Sequence, residues 1–410
     1  MTKLLKKTFM GSAAVLALSG IANTIVHADE SSETEAVETT YLTVNTEPLL
    51  RVPETFPSQF KYDSGVDIAY PEDGVKGVFV TAHSAGGARM EPLTNLLNST
   101  DLNAMVIDIK EDNGDITMPL ESDHELVNKF STNWIDPEGL MSHLEENEIY
   151  PIARIVVFKD SRLAKERPDL SFRNPDGSVW SNRAGHSFVN PFQKEVWDYN
   201  VEIAKQAAMM GFKDIQFDYV RFPEGFELRD EELDYSRGDY AGDDMDNVQQ
   251  RVEAVTDFVA YARKELEAFD VDVSVDIFGY SATVPEAPGI GQNFSRISEN
   301  VDVISSMIYP SHWGPGSLGI AKPDLEPYNV VANYMDHENE VLDNLGEKAP
   351  VSRPWIQDFT ASYLGSGWYK NYGAQEVSEQ IRALNDYGVN EFLLWDAANT
   401  YSEGAQYSFD

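Results

Sequence analysis

The stretch that decides the fold is Asp214-Ile215-Gln216-Phe217-Asp218-Tyr219-Val220-Arg221-Phe222-Pro223. Its side chains alternate, with Ile215 and Phe217 on one face and Gln216 and Asp218 on the other. A period of two is that of a β-strand, whose successive side chains point to opposite sides. The apolar face suits a covering layer of helices. The polar face ends in a carboxylate and points to an interior that is not simply oily. In a parallel barrel that carboxylate would lie at the C-terminal ends of the strands, where active sites are built.

Working outward, short β-branched runs recur at residues 77–83, 104–109, 152–158, 271–278, 303–309, 351–359 and 391–396, eight in all with 215–219. Between them lie helical patterns, clearest in Val252, Val255, Val259 and Leu266, in Val196, Tyr199 and Ile203, and in Val377, Ile381 and Leu384. Gly211 and Gly388 follow two of these helices and suit left-handed C-terminal caps. Eight strands alternating with helices predict an α/β fold, a single (β/α)8 TIM barrel with a short irregular N-terminal arm. A doubly wound nucleotide-binding sheet would carry G-x-G-x-x-G after its first strand. Ser84-Ala85-Gly86-Gly87-Ala88-Arg89 lacks that spacing.

The 31 Lys and Arg against 69 Asp and Glu leave a formal charge of −38, and there is no cysteine. Disulfides, thiolate metal sites and cysteine nucleophiles are therefore excluded. With no basic stripe, the chain is not expected to bind nucleic acid. Lys3, Lys6 and Lys7 precede a short apolar stretch, and Val26-His27-Ala28 offers small residues at the −3 and −1 positions of a cleavage site. Residues 1–28 are thus expected to be a signal peptide, 29–74 an acidic disordered tether and arm, and 75–410 the barrel. The expected location is extracellular or cell-surface, by Gram-positive-type export. No membrane insertion is expected after signal cleavage.

The strand ends collect chemistry. Parity places Ser274 and Asp276 on the barrel axis, as it does Gln216 and Asp218, while Val273, Val275 and Ile277 face the helices. Two inward carboxylates on neighbouring strands imply a polar, working pocket, because isolated buried charges are costly. Such a pair, flanked by aromatic rings, is what glycosidic cleavage requires. Asp218 and Asp276 are the catalytic candidates, with Asp358 in reserve. Asp108, Lys110, Arg154, Arg221, Tyr309, His312, Trp313, Gln357, Trp395 and Asn399 are the substrate-binding candidates. Parity with Arg353 and Trp355 favours Gln357 over Asp358 as the axial residue.

KGVFVTAHSAGG, NAMVIDIKEDNGDIT, ARIVVFKDSRLAKERPDL, DIQFDYVRFP, DIFGY, MIYPSHW, RPWIQDFTA and LLWDAANTY occur in this order. Together they resemble a family of secreted bacterial glycoside-hydrolase-like TIM barrels catalogued as a domain of unknown function, over about residues 75–401. The resemblance implies a glycosidase-like site on Asp218, with Asp276 next. It is also similar to the alpha-amylase clan in placing acids after strands four, five and seven, although that clan has Glu where Asp276 stands.

No cofactor is expected. His83, His186 and His312 lack ligand spacing, and residues 110–115 lack the terminal Glu of a calcium loop. No G-x-S-x-G elbow occurs. The leading expectation is a secreted glycoside hydrolase acting on a polysaccharide through two carboxylates. A catalytically silent carbohydrate-binding barrel and a metal-dependent polysaccharide deesterifying enzyme stay open beside it.

Overall fold

The computed structural model describes residues 60–242 and 244–409. The signal-peptide reading and the tether reading for residues 29–59 lie outside the described residues. Among the described residues nine strands form one closed sheet: β1 (Lys76–Val80), β2 (Ala104–Lys110), β3 (Tyr150–Val156), β4 (Asp214–Asp218), β5 (Asp272–Phe278), β6 (Val303–Met307), β7 (Val351–Ser352), β8 (Trp355–Gln357) and β9 (Phe392–Trp395). All pair in parallel, and β9 returns to β1 to close the barrel. The seventh run of the sequence is two strands rather than one. Pro354 has no N–H to give the ladder, and the break there leaves β7 and β8 sharing a single barrel position.

Among the described residues ten helices accompany the strands: α1 (Ala82–Ala85), α2 (Met90–Asn98), α3 (Glu125–Phe130), α4 (Pro137–Glu146), α5 (Ser161–Glu166), α6 (Lys194–Met210), α7 (Asn247–Leu266), α8 (Phe294–Ser298), α9 (Pro327–Leu345) and α10 (Ala374–Asp386). The strand faces separate as the alternation requires. Phe217 on the outer face of β4 meets Phe258 of α7 at 5.5 Å, and Phe258 also meets Phe158 and the Trp197 ring of α6. Burying such a side chain contributes about 2–3 kcal/mol, and Phe258→Ala would cost about 3–5 kcal/mol. The N-terminus of α7 is capped by Asp246, which accepts from the Val248 and Gln249 amides. α6 ends at Gly211, whose φ of 112° and close approach to Val66 exclude a side chain.

Inside the barrel the polar residues form tiers. At the bottom Arg353 pairs with Asp214 at 2.6 Å and Glu391 at 2.7 Å, and Tyr70 of the arm closes over them. Ser274 donates to Asp214, and above them Gln216 reaches across to Ser305. The uppermost tier holds Asp218, Arg154 and Asp276. Among the described residues no helix is long and apolar enough to cross a membrane.

Candidate active site

Asp218 is the last residue of β4, and the chain turns sharply after it: Tyr219 has φ of +53°, a left-handed conformation that a non-glycine residue rarely adopts. The turn sends the Tyr219 ring toward Lys159 and Arg221, while its amide donates to Asp218 Oδ1 at 2.5 Å. Arg154, from the inner face of β3, donates to Asp218 Oδ2 through Nε at 2.9 Å and Nη2 at 2.5 Å. Its Nη1 donates to Asp108 Oδ1 at 2.6 Å, and Nη2 also reaches Asp112 at 3.1 Å. One guanidinium thus organises three carboxylates. Phe79 and Trp395, stacked at 4.1 Å, flank it at 5.4 and 5.5 Å.

Asp276, on the inner face of β5, has a different setting. It is 2% exposed, and its described partner is a neutral donor, Trp355 Nε1, at 2.7 Å. Burial, then the negative charge of Asp218, push its carboxyl well above the usual carboxylate range, against the opposing pull of Trp355 and Arg154. Burial likewise lifts Asp108 to about 7, against the pull of Arg154. Asp112 goes the other way. Burial raises it, but Arg154 and Lys159 outweigh that and bring it down to about 2. Neighbouring strand ends therefore carry a buried carboxyl that holds its proton more tightly than usual and a carboxyl gripped by a guanidinium.

Two hollows flank these strand ends. One, of about 950 Å³, adjoins Tyr219 and Arg221, and the other, of about 560 Å³, is lined by Phe278, Tyr280, Met307, His312 and Trp313. Glu224 and Gly225 line both. Tyr309 lies between the acids and the aromatic wall, 4.9 Å from His312 and 6.4 Å from Trp395. Burial, and then the charges of Asp276 and Asp218, raise its hydroxyl well above the usual tyrosine range.

Of the sequence candidates, the structure brings together Asp218, Asp276, Asp108, Arg154, Tyr309 and Trp395, with Arg221, His312 and Trp313 in the adjoining hollows. Four lie elsewhere. Lys110 is fully buried in the helix layer, paired with Asp160 at 2.7 Å and donating to Asn200 of α6 and to the Val156 carbonyl. A register shift between Asp108 and Lys110 inserts one residue and turns Lys110 to the outer face. Gln357 is fully buried and engaged, accepting from the Ser311 amide and donating to Asp324. Asp358 anchors Ser402 through two hydrogen bonds, and burial lifts it to about 6. Asn399 ties the end of β1 to that of β9, accepting from the Thr81 amide and donating to the Phe79 carbonyl. None of these four presents a free polar group to the cleft.

The sequence reading missed Trp355, Phe79, Asp112 and Lys159. The inward parity that favoured Gln357 also held for Trp355, and its indole was the available signal. Asp112 and Lys159 sit beyond the strand ends, where no period applies. Among the described residues no group of three or more His, Cys, Asp or Glu is arranged to hold a metal ion.

A closed parallel barrel with an acid pair at its strand ends has the build of a TIM-barrel glycosidase. The chain belongs to the family described as "Putative glycosyl hydrolase domain", whose model matches residues 77–401. No curated protein matches it. Among solved structures, the glycoside hydrolase domain of PgaB (BpsB) from Bordetella bronchiseptica is 13% identical, with a TM-score of 0.51 over 78% of this chain and 94% of that one. That likeness is one of fold. A hypothetical protein from Ruminiclostridium thermocellum is 30% identical over 48% of this chain and 96% of its own, with a TM-score of 0.41. The spore cortex-lytic enzyme SleL from Bacillus megaterium is 11% identical, with a TM-score of 0.45 over 80% of this chain and 71% of that one.

Proposed function

We propose that the protein is an exported glycosidase that hydrolyses the O-glycosidic bonds of a cell-wall or biofilm polysaccharide. Asp276 acts as the general acid, and Asp218 as the nucleophile or general base. The supporting observation is the contrast between the two carboxyls: Asp276 buried beside a neutral indole, and Asp218 held by two donors of Arg154. As the glycosidic C–O bond breaks, Asp276 gives its proton to the departing oxygen. Asp218 attacks the anomeric carbon directly, or takes the proton of the water that does. Arg154 fixes the Asp218 carboxylate by a charge-assisted fork, so little reorganisation accompanies the reaction. Trp395 beside Arg154 and Trp313 in the adjoining hollow, both half-buried, offer ring faces to sugars.

Export is proposed from the N-terminal sequence, with its lysines, apolar stretch and small-residue cleavage site. The reading is tested by reducing-end release from a panel of bacterial polysaccharides. Asp218→Asn is expected to lose turnover by about a thousandfold or more while keeping its fold. An Asp218→Asn enzyme with wild-type turnover would remove Asp218 from the mechanism.

A further inference from the structure

The groove lined by Tyr219, the residue after Asp218, reverses the charge balance of the molecule. Acids outnumber bases 69 to 31 along the chain, yet the lining of the 950 Å³ groove sets Lys159, Arg183, Arg221 and Arg229 against Glu224 and Glu232. Lys159 is committed to Asp112 at 2.6 Å. The arginines have weaker acid partners. Arg221 meets Glu224, and Arg229 meets Glu232, at 3.3 Å, and these carboxylates are 72% and 65% exposed. The Arg229–Glu232 pair is exposed at both ends and contributes little; Arg221 is itself buried, but its acid partner stands in solvent and is open to exchange. Arg183 stands exposed on the rim.

Arg221 is the preorganised element. Its guanidinium lies 4.6 Å from the ring centroids of both Tyr219 and Phe278, and Nη1 donates to the Phe222 carbonyl at 3.2 Å. A guanidinium held between two rings keeps its remaining N–H donors aimed, with little side-chain freedom left to lose. Planar N–H forks match carboxylate, sulfate and phosphate oxygens. Trp180, half-buried on the same wall, offers a ring face to a sugar.

We propose that this groove is a subsite for an anionic sugar, so that the substrate is an acidic polysaccharide bearing carboxylate, sulfate or phosphate groups close to the bond that is cut. The inference rests on the glycosidase reading for its polymer, but its binding can be read separately from cleavage. At an ionic strength of 0.15 M the screening length is about 8 Å, so the groove's own charges, rather than the distant acidic surface, govern what it holds.

The test is binding to an array of neutral, amino-sugar, uronate, sulfated and phosphorylated oligosaccharides at that ionic strength, with cleavage of the same glycans followed in parallel. Wild-type protein is expected to bind the anionic glycans, and the class bound identifies the group recognised. Arg183→Gln, at an exposed position, and Arg221→Lys, which keeps charge and most of the volume, should each weaken binding by about tenfold or more. Binding confined to neutral or amino-sugar glycans, binding to none, or affinities unchanged in both variants would overturn the subsite. Cleavage of neutral glycans alone would leave the glycosidase standing and the subsite refuted. Anionic binding without cleavage of any glycan would do the reverse.

Discussion

Replacing Trp355 by Phe isolates one group that tunes Asp276, the proposed acid. The indole N–H donates to Asp276 Oδ1 at 2.7 Å, and both residues are almost fully buried. A hydrogen bond to a charged acceptor contributes about 1.5–3 kcal/mol and one to a neutral acceptor about 0.5–1.5 kcal/mol. The indole therefore favours the ionised carboxyl over the protonated one by roughly 1–1.5 kcal/mol, which is about one pH unit. Removing it should raise a carboxyl that burial and Asp218 already hold high. In a general-acid mechanism the alkaline limb of kcat/KM follows loss of that proton. Trp355→Phe should therefore move the alkaline limb upward by about one pH unit. The variant also loses packing volume in the core, so thermal unfolding must confirm a folded enzyme over the pH range used. The assay is initial-rate reducing-end release from pH 4 to 10. An unmoved limb, or one displaced toward acid, would refute the assignment of Asp276 as the acid.

Two further outcomes follow from the same geometry. Asp108 titrates at about 7 in the folded chain against an ordinary 3.8, so the native state holds its proton more tightly than the unfolded chain. Its contribution is fully present below about pH 4 and is lost as pH rises through about 7, an amount of order 4 kcal/mol. Urea unfolding of Asp108→Asn should lack that part of the decline, and a pH slope identical to wild type would count against the burial argument. Lys110→Met breaks a fully buried ion pair and should cost about 3–5 kcal/mol in unfolding free energy. KM of the folded fraction should stay unchanged; a raised KM would return Lys110 to the substrate site.

Much of the fold was legible because strand and helix periods are local. The alternation at Ile215, Gln216, Phe217 and Asp218 put the right faces toward helix and axis, and the same held for Val273 to Asp276. What escaped depends on contacts between residues far apart in the chain. The register shift that turns Lys110 outward is visible only against β3. Arg353, in the seventh run, is committed to Asp214 and Glu391 at the bottom of the barrel, a pairing that only the closed fold brings about. Asp358 and Asn399 occupy strand-end positions that resemble those of working residues, yet each ties chain segments together, Asp358 to Ser402 and Asn399 to Thr81 and Phe79. A polar residue at a strand end is a functional candidate only while its hydrogen bonds remain unassigned, and those assignments come from the fold.

The division of labour between the two aspartates is most directly tested by leaving-group dependence. Once the released sugar is known, hydrolysis of its polymer is compared with that of its 2,4-dinitrophenyl glycoside, whose phenolate departs without a proton. Asp276→Asn should slow polymer cleavage by about 10²–10⁴-fold and largely spare the activated glycoside. Asp218→Asn should abolish both. Equal losses on the two substrates in Asp276→Asn, or turnover surviving in Asp218→Asn, would contradict the assignment of Asp276 as the acid and Asp218 as its partner.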